Sequence, residues 1–243
     1  MPYWISPVTL LTMWERGCGL TRPAQGRTVL RVLGIQEPAL GRLTVGERDV
    51  ILMDLRSRVF GSHIASIARC PSCGEVLDVG FELADVCKTT PDAADGTVHV
   101  EHESFRVLAR PPSLDDLDWL EDPPQGDDPR AALFGRCIVE ASRAGEPVDV
   151  ADIPDDVVAL VARSLSDADP GADIRLELVC STCGHRWTVV FDIVSFFWEE
   201  LDAWAWRMAR DVDVLAARYG WSEGEILTMH RTRRELYLEV ARS

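Results

Sequence analysis

Apolar residues recur along this chain with two different periods, and the change of period divides it. Residues 5–60 carry helical spacing. Leu10, Leu11 and Trp14 begin one amphipathic stretch, residues 27–33 form another, and Val50, Ile51, Leu55, Val59 and Phe60 mark the inner face of a third. Thr44-Val45-Gly46-Glu47 reads as the capping box that opens this third helix, and Gly61 ends it. The period then becomes two. Val79, Phe81 and Leu83 alternate with polar neighbours, as do Ile174, Leu176 and Leu178, then Val189, Phe191 and Ile193, so both regions predict strands. The strand preceding residue 70, over Ile64 to Ala68, is less clearly written. Beyond it all, Val194, Trp198, Leu201, Ala205, Met208, Val212, Leu215 and Tyr219 step by four and three, a sustained heptad seam. Gly220 ends that helix. A second capping box, Ser222-Glu223-Gly224-Glu225, opens a shorter one with Ile226, Leu227, Leu236, Tyr237 and Val240 facing inward.

Residues 85–172 interrupt the strand regions. Val98–Val100 and Phe105–Leu108 read as short strands, Pro111-Pro112 breaks the pattern, and Ser113 caps a short helix through Leu120. Helices are expected again at 131–144 and 154–166. An acidic run holds Asp115, Asp116, Asp118, Glu121, Asp122, Asp127 and Asp128, broken by Pro123, Pro124 and Gly126. It lacks the ligand spacing of a calcium loop and reads as a solvated loop.

Each strand region carries the same knuckle: Cys70-Pro71-Ser72-Cys73-Gly74 and Cys180-Ser181-Thr182-Cys183-Gly184. The residues after them align as an internal repeat, and the second knuckle reads as the tip of a hairpin. Cys70, Cys73, Cys180 and Cys183 supply the four thiolates of a closed, tetrahedral Zn2+ site, structural because no position is left open for water. Two thioredoxin-like redox pairs are an alternative, but that motif opens a helix and here strands follow both copies. A metal-free, degenerate ribbon is another. His185 is expected to point out of the hairpin, and Cys18, Cys87 and Cys137 read as small buried hydrophobes. The resulting fold class is α+β: a discontinuous four-cysteine zinc ribbon (62–84 and 173–193), an N-terminal helical region (1–61), a mixed α/β insertion (85–172) and a C-terminal helical hairpin (194–243).

Composition narrows the function. The chain has 243 residues with 47% apolar, enough for a core, and a net charge of −15. That charge argues against nucleic acid as the main ligand, since phosphate binding needs a basic surface. No apolar run suggests a membrane span, and the N-terminus lacks a secretory signal, so a cytoplasmic protein with free thiols is expected. No phosphate-binding loop, dinucleotide fingerprint, nucleophile elbow or zinc-protease motif occurs, and His99 and His102 fall on opposite faces of a strand, so neither an enzyme nor a small-molecule substrate is expected. Phe196 and Trp206 lie off the heptad seam. With Arg231, Arg233 and Arg234 they are the candidate partner-binding residues.

Several stretches resemble proteins of contractile phage tails and phage-derived contractile injection systems, among them the baseplate hub assembly proteins of T-even-like phages. They are Gly46-Glu47-Arg48-Asp49 to Leu55-Arg56, Phe60-Gly61, both knuckles, Phe105-Arg106-Val107-Leu108 with Pro111-Pro112 and Asp116-Leu117, Phe191-Asp192-Ile193, Phe197-Trp198, and Tyr219-Gly220-Trp221-Ser222-Glu223 with Glu225-Ile226-Leu227. The resemblance implies a non-enzymatic part, or assembly chaperone, of a baseplate, with other baseplate, hub or spike proteins as partners. A zinc-ribbon adaptor in a nucleic-acid-associated complex is the alternative function.

Overall fold

The computed structural model describes residues 5–87, 96–121 and 128–242. Lys88, Asp122, Pro123, Pro124, Gly126 and Asp127 lie outside the described residues. In chain order the elements are α1 (Pro7–Gly17), α2 (Arg22–Val32), α3 (Ala39–Arg42), α4 (Val45–Phe60), β1 (His63–Arg69), β2 (Val76–Glu82), α5 (Leu83–Val86), β3 (Val98–His102), β4 (Phe105–Ala109), α6 (Leu114–Glu121), α7 (Pro129–Cys137), β5 (Ile138–Arg143), β6 (Glu146–Pro147), α8 (Asp155–Ala168), β7 (Arg175–Val179), β8 (Arg186–Val190), α9 (Ile193–Tyr219), α10 (Glu223–Thr228) and α11 (Arg231–Arg242). They form two compact units, one of residues 1–35 with 194–243, the other of residues 36–193.

The first unit is helical. Ser6 caps α1, accepting from the Thr9 N–H at 3.1 Å, and a proline occupies the first turn of both α1 and α2. The α9 seam is inward-facing as its spacing predicts, with Leu201, Ala205, Met208 and Leu215 buried. At Gly17 a Cβ would strike the Trp198 indole, so glycine is the residue that lets α1 approach there. The C-terminal segment differs from expectation. Met229 takes an extended conformation and divides one predicted helix into α10 and α11. The register consequently rotates: Ile226, Leu227 and Leu238 are buried, whereas Leu236 and Val240 face solvent. The ring of Trp221 stacks on Tyr219 at 4.5 Å and meets Tyr237 edge-on at 4.8 Å, filling the corner.

The second unit holds every strand of the described residues. β3, β4, β5 and β6 form an antiparallel meander, and α8 covers one face of it. The core there is Val100, Phe105, Val107, Ala109 and Ala141 from the sheet with Ile153, Val157 and Val161 from the helix side. The helix expected over 131–144 stops at Cys137. Ile138 onward pairs with β4 instead, Val107 opposite Ala141, and Ala144-Gly145 makes the return turn. Ladder bonding and a buried strand face outweigh a weak helical preference in a stretch containing Ile138 and Val139. In α4, Leu52, Met53 and Leu55 are buried, while Val50, Ile51, Val59 and Phe60 are only half-buried, so the inner face is turned from the predicted one. Cys18 is exposed and Cys87 half-buried, leaving only Cys137 as a buried small hydrophobe.

Asp116 corrects the reading of the acidic run as solvated. Its side chain has no exposure, and it accepts from Arg110 at 2.6 and 3.2 Å, Arg136 Nε at 2.8 Å, and the Ser113 N–H and hydroxyl at 2.9 and 2.8 Å. Burial raises the affinity of this carboxyl for a proton. The Arg110 bonds and the Ser113 N–H and hydroxyl more than offset it and hold the group well below the usual carboxylate range. It fastens α6 to α7 and to the end of β4. Because the folded state depresses this group, its contribution is fully present above the unfolded value near 4 and is lost as pH falls below it. Asp116→Ala is therefore expected to cost about 2–4 kcal/mol in urea unfolding at neutral pH, and clearly less at pH 3. Equal losses at both pH values would contradict this.

Candidate metal centre

β1 and β2 form one antiparallel hairpin, β7 and β8 another. Each knuckle is the tip of its hairpin, and the two tips are built alike. The Cys70 N–H donates to Glu75 C=O at 2.8 Å and the Gly74 N–H to Cys70 C=O at 2.9 Å; the Cys180 N–H donates to His185 C=O and the Gly184 N–H to Cys180 C=O, both at 2.9 Å. Gly74 and Gly184 take φ of 77° and 72°, the left-handed conformation that lets each turn close.

The two hairpins meet as near-equivalent halves. Cys70 Sγ lies 3.7 Å from Cys183 Sγ, and Cys73 Sγ lies 3.6 Å from Cys180 Sγ, a reciprocal arrangement. The repeat-equivalent rings of Phe81 and Phe191 meet edge-to-face at 5.3 Å. All four sulfurs lie within 4.8 Å of one another, Cys70 and Cys180 buried and Cys73 and Cys183 exposed. These separations are too long for disulfides, which need about 2.05 Å. A tetrahedral site with Zn–S bonds of about 2.3 Å places its sulfurs about 3.8 Å apart, close to the two short separations. The four-thiol donor set therefore fits one four-coordinate cation.

Electrostatics agree with that use. The Cys183 N–H, helped by Thr182 N–H, draws the Cys180 thiol down to about 7 against its burial. At Cys73 the Glu75 N–H acts the same way, but the surrounding sulfurs of Cys183, Cys180 and Cys70 push that thiol up to about 12. One thiolate forms readily and opposes the next, and a divalent cation removes that opposition.

α4 is bonded at each end to a segment that leads into one of the hairpins. At its C-terminal end, buried Arg56 donates to the carbonyls of Gly61 and His63, fixing the chain as it enters β1. At its N-terminal end, Asp169 accepts the Gly46 N–H at 2.9 Å from a turn 123 residues away. That turn leads into β7. Thr44 and Glu47 complete the predicted capping box, at 2.8 and 3.1 Å. Sequence reading passed over Asp169, because Asp-Pro-Gly before a strand signals only a turn. Beside it, Arg48 Nε pairs with Asp49 at 2.7 Å, yet burial still pushes the Asp49 carboxyl up to about 6.

The remaining candidate residues sit in the helical unit. Trp206 is 57% exposed, and its ring meets Trp14 edge-on at 6.5 Å. Trp14 is in turn held by Asp202, accepting from its Nε1 at 2.8 Å. Phe196 is half-buried. On α11, Arg231 pairs with Glu235 at 2.7 Å, Arg233 is exposed and Arg234 is buried. His102 lies 3.2 Å from Asp156, across from α8, and takes no part in the sulfur cluster.

Four thiols gathered at the tips of two hairpins could together hold one metal ion. The family profile described as T4 bacteriophage base plate protein matches residues 29–198, which include both knuckles, and the chain belongs to that family. No curated protein and no solved structure matches it. Among the described residues, no helix is long and apolar enough to cross a membrane.

The geometry predicts an oxidation pattern. Mild oxidation of metal-free protein is expected to link Cys70 to Cys183 and Cys73 to Cys180, as read by peptide mapping. Bridges within either Cys-x-x-Cys would contradict the reciprocal arrangement.

Proposed function

We propose that this chain is a non-enzymatic structural or assembly protein of a contractile, phage-tail-like baseplate, and that Cys70, Cys73, Cys180 and Cys183 hold one structural zinc ion. The convergence of the four sulfurs carries the metal half of this reading. Structural zinc supplies about 10–16 kcal/mol, as large as the whole stability of an ordinary domain at about 5–15 kcal/mol. Such a clamp suits a part that must keep its shape while neighbours assemble on it. Membership of the base plate family carries the other half.

Charge supports a division of labour between the units. Residues 36–193 hold 30 of the 40 acidic and 14 of the 25 basic residues, net −16, while the helical unit is +1. The acidic unit favours basic partner surfaces through steering and complementarity. The near-neutral helical unit offers Trp206, an exposed aromatic pre-set by Trp14, as the anchor for an apolar pocket on a neighbouring tail protein. Arg233 stands exposed on the same unit, with Phe196, Arg231 and Arg234 as supporting residues of that unit.

The experiment is to trace a tagged chain through tail assembly. Its presence in finished base plates marks a resident part, its presence only in intermediates marks an assembly factor, and absence from both overturns the proposal. Trp206→Asp is expected to keep the wild-type circular dichroism and melting while failing to enter these complexes. Unfolding of that variant would make Trp206 a core residue.

A further inference from the structure

The two hairpins bury little of their surface along their length. Within the four strands only Ile64 is buried; the inward residues Leu77, Val79, Phe81, Leu176, Leu178, Trp187 and Val189 are half-buried, as is Phe191 just beyond β8. Two hairpins joined only by half-buried contacts do not fix their tips to within a fraction of an ångström. The roots must do so. The first hairpin is rooted where the Leu83 N–H donates to Ser62 C=O at 3.0 Å, just beyond the C-terminal end of α4. The second is rooted at buried Ile174, whose carbonyl accepts the Phe191 N–H at 2.8 Å.

Ile174 reaches α4 through a short, tightly packed turn. Asp169 is 2% exposed and caps α4 with one carboxylate oxygen on the Gly46 N–H, assisted by the Thr44 hydroxyl. The Ala172 N–H donates back to Asp169 C=O at 3.0 Å. A Cβ on Gly171 would stand 3.1 Å from the Gly46 Cα and carbonyl, and a Cβ on Gly46 would collide with the Asp169 carboxylate. The two glycines thus allow backbone-to-backbone contact where the turn before the second hairpin meets α4. The second carboxylate oxygen of Asp169 is buried without a hydrogen-bond partner. An unsatisfied buried oxygen is costly, and it persists where surrounding structure fixes the group.

We infer that Asp169 is the positioning residue of the four-sulfur centre: acting through Gly46 and the length of α4, it places the Cys180 knuckle opposite the Cys70 knuckle before any metal binds. α4 is then a strut of 16 residues, about 24 Å long at 1.5 Å per residue, clasped by Arg56 at one end and Asp169 at the other. The cage is a property of the fold, and the metal enters a site already formed. The inference deepens the zinc reading and rests on it only for the metal readout.

The test compares wild type, Asp169→Ala and Asp169→Asn as full-length chains. In metal-free protein, the reactivity of the knuckle thiols toward a thiol reagent is measured; in zinc-loaded protein, the rate of zinc transfer to a chelator. Asp169→Ala is expected to expose the thiols and to weaken zinc retention by about 10–100-fold, the usual cost of losing a group that orients ligands. Asp169→Asn keeps an acceptor for the Gly46 N–H and is expected to behave like wild type. Wild-type reactivity and retention in the alanine variant would overturn the inference while leaving the zinc site standing. A chain that binds no zinc would defeat the zinc reading, and thiol reactivity would still decide the role of Asp169. Should the alanine variant fail to fold, hydrogen exchange of the wild-type Gly46 N–H decides: protection without metal supports the latch, and protection only with metal overturns it.

Discussion

Four sulfur atoms from knuckles about a hundred residues apart must arrive at one point, and most of the second unit is arranged around that requirement. Neither hairpin has a core of its own, since each is only two strands wide. Their stability depends on the other hairpin, on the sulfur cluster at the tips and on α4 at the roots. The meander of β3 to β6 with α8 is built differently. It has its own buried cluster, and it is inserted between the knuckles so that its far end, the turn at Asp169, returns the chain to α4.

Two buried carboxylates illustrate how the surroundings decide what an aspartate does. Asp116 is ringed by two arginines and Ser113 and stays ionised as a fastener. Asp49 is paired with its neighbour Arg48 and lies near Asp192 and Asp169, so burial dominates and its proton affinity rises. The first strengthens the unit as pH rises toward 4 and is fully present above it. The second costs stability as pH rises from about 4 to 6, because the folded state there binds more protons than the unfolded one, and the cost stays in place above that window.

Local signals were legible in the sequence. The two capping boxes, the α9 seam and the alternation after each knuckle all rest on periods and turn residues that act within a few positions. The convergence of the four cysteines was legible as well, because two matching knuckles leave few ways to combine. Long-range placements were not legible. Nothing near Asp116 in the sequence distinguishes it from Asp115 or Asp118, and its burial follows from where Arg110 and Arg136 are brought in the fold. Ile138–Arg143 became a strand because β4 offered an edge, a fact invisible in its own residues. Leu236 and Val240 turned outward because one extended residue, Met229, reset the helical register. Asp169 carried only a turn signal, and its importance comes from a hydrogen bond spanning 123 residues.

The account stands on the sulfur cluster acting as a single metal site. Native mass spectrometry of the reduced, full-length protein tests it most directly, with Cys183→Ser measured alongside. One zinc per chain in the wild type, lost in the variant together with a large fall in melting temperature, is the predicted result. A wild-type chain that folds with four free thiols and takes up no zinc, or a variant that keeps its metal and melts unchanged, would contradict it.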